Sequence, residues 1–222
     1  MKRLTTVVFD LDGTLLNTLD DLADSTNYAL KTFGFPQRTI DEVRRFVGNG
    51  VRLLMERAVP DGALNPRFEE VFACFKSYYV EHCMVKTGLY PGISDLLCRL
   101  KQDGYKLAIV SNKLQSGVDE LYNCYFKDTV TVAVGERPEV RRKPNPDMVH
   151  CALRELGSSS DEAVYIGDSD VDIATAKNAG LPCISVLWGF RDKDFLIENG
   201  ATHLVSSPDE IIPLLTSGQL VC

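Results

Sequence analysis

No stretch of this 222-residue chain approaches the ~20 consecutive apolar residues that a membrane-spanning helix needs, so an integral membrane protein is not expected. A basic excess is missing too. Against 31 Asp and Glu stand 24 Lys and Arg, and the net charge of −7 disfavours general binding to nucleic acid or an anionic membrane. The 7 cysteines form no C-x-x-C pair and no Cys/His cluster, which argues against a zinc site. Cys74, Cys83, Cys98, Cys124, Cys151, Cys183 and Cys222 are expected to be reduced thiols, mostly in the core of a cytoplasmic protein. The first apolar stretch stops at Asp10, too short for a signal peptide. Internal repeats and low-complexity tracts are absent as well. The rest is ordinary globular composition, 45% apolar and 25% charged. The length fits one large domain or a core with a modest insert, and such a chain buries roughly 70% of its unfolded surface.

Strand-like and helix-like segments alternate. Apolar runs at Leu4–Phe9, Tyr105–Ser111, Thr129–Val134, Ala163–Gly167 and Cys183–Leu187 read as buried parallel strands. Between them lie helical patterns at Ile93–Gln102, Leu114–Tyr122, Pro146–Leu156 and Val171–Ala179, three of them followed by Gly104, Gly157 and Gly180 at the C-terminal cap. This is the pattern of an α/β protein with a doubly wound parallel, Rossmann-like sheet. One region departs from it. Leu19–Phe33, Asp41–Val47, Val51–Ala58 and Arg67–His82 are all helical, with no convincing strand among them. The expected organisation is a core domain of residues 1–17 and 83–222, interrupted by an all-helical insert at 18–82.

Chemistry concentrates where strands end. The first strand delivers Asp10-Leu11-Asp12-Gly13-Thr14, with two carboxylates at i and i+2 on one side of an extended segment and a glycine that lets the chain turn. A calcium loop would need a third ligand at Thr14 and a glycine at Leu15, so that reading fails. The fourth strand delivers Gly167-Asp168-Ser169-Asp170, with Asp172 one turn further. If these two strands are neighbours at the point where strand order reverses, Asp10, Asp12 and Asp168 converge and imply a cation. Ligands that are all oxygen favour Mg²⁺. Ser111-Asn112 ends the second strand with a hydroxyl and main-chain N–H groups, and Lys143-Pro144-Asn145-Pro146 sets a cation before a helix.

The order D-x-D-G-T-L, S-N, K-P-x-P and G-D-S-x-x-D resembles the haloacid dehalogenase superfamily, and the helical insert resembles its C1 cap. Within the superfamily, FVGNGVRLLMERA, YIGDSDVDIATAKNAG and VLWGFRD look most like the phosphoglycolate phosphatases. The resemblance implies a Mg²⁺-dependent phosphatase acting on a small phosphorylated metabolite, 2-phosphoglycolate foremost. It makes Asp10 the nucleophile, Asp12 the acid and base, and Ser111 and Lys143 the groups that hold the phosphoryl oxygens. Mg²⁺ would sit on Asp10, Asp168 and the main-chain carbonyl of Asp12, with Asp172 in support. Thr14 and Asn112 would lie beside the substrate. In the cap, the Gly48-Asn49-Gly50 turn and Arg52 would meet a substrate carboxylate. Pyrophosphatase, β-phosphoglucomutase-like phosphotransfer and a regulatory binding protein on the same fold are the alternatives. A monomer or homodimer with no nucleic-acid or membrane partner is expected.

Overall fold

Short runs rich in β-branched residues and bounded by turns form the strands here, fully buried in β1 (Thr6–Phe9) and β6 (Ala163–Gly167). The computed structural model describes residues 3–220, so Cys222 falls outside the described residues. Its elements divide into two compact units, 1–15 with 89–222, and 16–88.

The first unit holds a six-stranded parallel sheet. It comprises β1 (Thr6–Phe9), β4 (Lys106–Leu114), β5 (Val132–Glu136), β6 (Ala163–Gly167), β7 (Cys183–Val186) and β8 (His203–Val205), in the order β5-β4-β1-β6-β7-β8. Two further strands, β2 (Leu16–Asn17) and β3 (Gly88–Leu89), form a ribbon where the chain passes between the units. The main sheet winds from β1 to β4 and β5, then returns to β6 on the other side of β1, so strand order reverses at β1/β6. Such a point opens a crevice at the carboxyl ends of the strands. Phe9 stands opposite both Ile109 and Ile166, which brings Asp10, Ser111 and Asp168 out at one edge.

Helices α5 (Ile93–Gln102), α6 (Gln115–Leu121), α7 (Asp147–Leu156), α8 (Asp170–Ala179), α9 (Lys193–Glu198) and α10 (Ile211–Thr216) accompany the sheet. Met148, Val149, Ala152, Leu153 and Leu156 of α7 and Ala176 and Ala179 of α8 pack with Val8, Val110, Val134 and Tyr165 in one buried cluster. Each large aliphatic chain so buried contributes about 1.5–3 kcal/mol. The second strand runs three residues beyond its expected end at Ser111. Gly135 of β5 permits this, because a Cβ there would come within 2.7 Å of the Gln115 Cα. The following helix is correspondingly shorter than expected and passes into a π turn at Tyr122–Phe126. The sequence pattern missed β8, α9 and α10, which are only three to six residues long.

The second unit is helical: α1 (Leu19–Thr32), α2 (Ile40–Phe46), α3 (Val51–Ala58) and α4 (Phe68–His82). Thr39 and Glu42 form a capping box at the start of α2. Phe68, Val71, Phe72, Phe75 and Tyr79 of α4 are buried, and Tyr28, Tyr78 and His82 stack in a column on α1 and α4.

The cysteines correct one expectation. Cys83 and Cys151 are buried, but Cys98 and Cys124 are exposed. Cys98 lies off the stripe of Ile93, Leu96, Leu97 and Leu100 that α5 buries.

Candidate active site

Asp10 follows the buried β1 run directly, and its Oδ1 lies 2.7 Å from Lys143 Nζ. The Lys143 ammonium also sits 2.8 Å from Asp172 Oδ1 and donates to the Tyr165 hydroxyl at 3.1 Å, which in turn donates to Asp172 Oδ1 at 3.1 Å. Asn112 fixes the Lys143 main chain from both sides. Its Oδ1 accepts from Lys143 N at 2.8 Å and its Nδ2 donates to Lys143 O at 3.1 Å. The Lys143–Pro144 peptide is cis.

Asp172 is the third residue of α8, where Ser169 caps the helix, and its Oδ2 accepts from Ser169 N at 3.1 Å and Ser169 Oγ at 2.5 Å. The capping pattern therefore aims Asp172 back toward Lys143. Asp168 is held by neutral donors, with Thr14 Oγ1 at 3.2 Å and Phe190 N at 2.7 Å. Two glycines let loops close on it. A Cβ at Gly13, where φ is +91°, would lie 2.5 Å from Asp168 Oδ2, and one at Gly189 would lie 2.2 Å from its Cβ. Asp12 makes a separate group. Its Oδ2 accepts from Ser111 Oγ at 3.3 Å and its Oδ1 lies 3.1 Å from Lys113 Nζ.

Burial dominates the electrostatics. Removal from water pushes the Asp10 carboxyl well above the usual carboxylate range, Asp172 and Asp168 add to this, and the Lys143 ammonium opposes it. Asp168 is pushed up to about 7, by burial first and by Asp172 second. Burial pulls the Lys143 ammonium down, but Asp10 and Asp172 outweigh it and raise it well above its ordinary range.

Carboxylate oxygens of Asp10, Asp168 and Asp172 lie within 4.8 Å of one another. One ammonium pairs with Asp10 and Asp172, while Asp168 accepts from Thr14 and Phe190 and feels the charges of Arg191 and Lys143, which do not offset its burial. A buried acidic cluster so short of cations, offering only hard oxygen donors, fits a hard divalent metal ion.

The structure thus brings Asp10, Lys143, Asp168 and Asp172 together, with Asp12 and Ser111 joined by their own hydrogen bond. Thr14 and Asn112, expected beside the substrate, direct their polar groups to Asp168 and to the Lys143 main chain. Gly48, Asn49 and Arg52 belong to the helical unit. Asn49 Oδ1 accepts from Arg57 Nη2 at 3.1 Å, and the flanking Gly48 and Gly50 both have positive φ. Arg52, expected to meet a substrate carboxylate, pairs with carboxylates of its own unit. Its guanidinium pairs with Glu69 at 2.5 Å and Glu56 at 3.3 Å, and lies over the Phe68 and Phe72 rings. Trp188 Nε1 donates to Thr14 O at 3.0 Å. Lys113 and Tyr165 had no assigned role in the sequence reading. Lys113 follows Ser111 at the period-two spacing that puts both on one side of a strand, the one signal that could have found it.

Comparison with known proteins gives the family. The model of the haloacid dehalogenase-like hydrolases matches residues 7–186, and the chain belongs to that family. Its similarity within the family is to phosphatases. It is 33% identical to a phosphoglycolate phosphatase of Aquifex aeolicus (strain VF5) over 94% of this chain and 95% of that one. It is 34% identical to one of Mesorhizobium japonicum over 84% of each. A crystal structure from Lactobacillus delbrueckii subsp. bulgaricus, provisionally named a phosphoglycolate phosphatase, superposes with a TM-score of 0.92 at 36% identity, covering 96% of this chain and 99% of that one.

Proposed function

We propose that this protein is a Mg²⁺-dependent phosphatase of small phosphate monoesters, with 2-phosphoglycolate as substrate, working through a phosphoryl group carried on Asp10. The carrying observation is the pairing of buried Asp10 with Lys143 at 2.7 Å beside Asp168 and Asp172. The names of the relatives support the choice of substrate.

In this reading an Asp10 oxygen attacks phosphorus while the bond to the ester oxygen breaks, and the Asp12 carboxyl gives that oxygen its proton. Asp12, now ionised, takes a proton from water as the water oxygen attacks phosphorus. The bond to Asp10 breaks, and inorganic phosphate leaves. Ser111 donates to a phosphoryl oxygen, and Lys143, held by Asp172 and Tyr165, offsets charge on the nucleophile and the phosphoryl group. Mg²⁺ held by Asp10, Asp168 and the Asp12 carbonyl would neutralise phosphate charge and fix its orientation. Segment 18–82 is the cap domain of this reading, and the setting is cytoplasmic. Among the described residues no helix is long and apolar enough to cross a membrane.

Phosphate release from 2-phosphoglycolate and from para-nitrophenyl phosphate, with Mg²⁺ and after chelation, tests the proposal. Mg²⁺-dependent turnover is expected, with kcat/KM for 2-phosphoglycolate higher by about 100-fold or more. Turnover of the aryl ester alone would reject the substrate. Full activity after exhaustive chelation would reject the metal, and no turnover of either ester would reject the phosphatase.

A further inference from the structure

A second ammonium enters the site and no step above uses it. Lys113 Nζ lies 3.1 Å from Asp12 Oδ1, with only 7% of the lysine side chain and 17% of the aspartate side chain exposed. The two residues stand 101 positions apart in the chain, and the pairing of β1 with β4 brings them together. Register shifts between Val110 and Leu114, an irregularity of the kind that re-aims side chains at a strand end. The lysine stem passes Gly117, where a Cβ would rest 3.5 Å from it.

The hydrogen-bond inventory around Asp12 gives this contact a function. Ser111 has one hydroxyl hydrogen, donated to Asp12 Oδ2 at 3.3 Å. That hydrogen cannot serve a phosphoryl oxygen at the same time. When a phosphate takes it, Oδ2 is released and the Oδ1 contact still orients the carboxyl. An ammonium carries three donors and stays in place. Lys143 cannot substitute, because Asp10, Asp172 and Tyr165 already engage it.

We propose that Lys113 is the positioning residue of Asp12: it anchors Oδ1, so that Oδ2, freed by Ser111 on phosphate binding, faces the leaving oxygen and carries the proton. The inference rests on the reading of Asp12 as acid and base. Misplacing a catalytic group by about 1 Å costs on the order of 100-fold.

The test compares kcat/KM for an alkyl phosphate, whose leaving oxygen needs a proton, with that for para-nitrophenyl phosphate, whose leaving group departs without one. In both cases kcat/KM covers the steps through transfer to Asp10. Lys113→Met is expected to lower the alkyl value by about 10–100-fold and the aryl value by less than about 5-fold. Lys113→Arg should restore most of the loss. In an Asp12→Asn background, Lys113→Met should cost nothing more, since the lysine acts through that carboxyl. Equal losses on both esters, undiminished alkyl turnover, or an added loss in the Asp12→Asn background would overturn the proposal. If Lys113→Met does not fold, Lys113→Gln gives the same comparison, and Lys113→Arg must then stay near wild type on both esters. Failure of the underlying reading looks different: Asp12→Asn itself would then spare the alkyl ester, or the wild type would turn over neither.

Discussion

The acidic cluster at the strand ends and the arginine–glutamate pairs of the helical unit handle charge in opposite ways. In the sheet-containing unit, Asp10, Lys143, Asp168 and Asp172 are taken almost wholly out of water at one strand edge, and the carboxylates outnumber the ammonium that pairs with them. In the helical unit, Arg52, Glu56 and Glu69, like Arg38 and Glu42, form ion pairs that remain open to solvent. Exposed pairs are screened and contribute little, whereas a buried group lacking its partner is costly. In the proposed function the buried cluster is the part that carries the chemistry. The guanidinium of Arg52, of a shape that suits a substrate carboxylate, holds the carboxylates of Glu56 and Glu69.

Substitutions should respect that contrast. The largest effect is expected from Asp10→Asn, which keeps the shape and removes the attacking oxygen: kcat should fall at least ~10³-fold, about 4 kcal/mol of transition-state stabilisation, with the fold intact by circular dichroism. Next comes Gly189→Ala. Its methyl would have to displace Asp168, so the Mg²⁺ concentration for half-maximal activity should rise by about 10–100-fold. An unchanged Mg²⁺ requirement would show that Asp168 is not a ligand.

A third expectation concerns pH. Asp168, held up to about 7, and Asp10, also raised, keep their protons better in the folded state than in the unfolded one. The metal-free protein should therefore lose stability as pH rises from the ordinary carboxylate range toward about 7. Mg²⁺ should recover it, raising Tm more at pH ~8 than at pH ~5, because the ion competes with those protons. A Tm that climbs over this interval without metal would contradict the buried-acid description. The smallest effect belongs to Arg52→Ala, which should change kcat/KM by less than about 3-fold, and equally for 2-phosphoglycolate and para-nitrophenyl phosphate. A loss confined to 2-phosphoglycolate would return Arg52 to the substrate.

What could be read from sequence follows the same division. Asp10, Asp12, Asp168 and Ser111 stand in short motifs at strand ends and Lys143 in one that opens a helix, where neighbours in the chain indicate the geometry. The run Ala163–Gly167 and the helices Val51–Ala58 and Ile93–Gln102 have the bounds their patterns indicate, because each carries a full apolar signature. The roles of Lys113 and Tyr165 were hard to read because their partners are distant in the chain: 101 residues for Lys113, across the β1–β4 pairing, and 22 for Tyr165, whose partner Lys143 lies in the loop before α7. For Arg52, Glu56 at i+4 was in plain view, but Glu69 comes from another helix, 17 residues on. His203–Val205 is three residues long with two of them only half-buried, too little for a period to register.

The account turns on a phosphoryl group held by Asp10. Mixing enzyme, Mg²⁺ and 2-phosphoglycolate, quenching in acid within the first turnover and mapping the peptides by mass spectrometry tests it most directly. The account expects one added phosphoryl group on the peptide that carries Asp10, at that residue and absent from Asp10→Asn. Product formed in the first turnover with no phosphoryl group on Asp10, or with one on another residue, would contradict it.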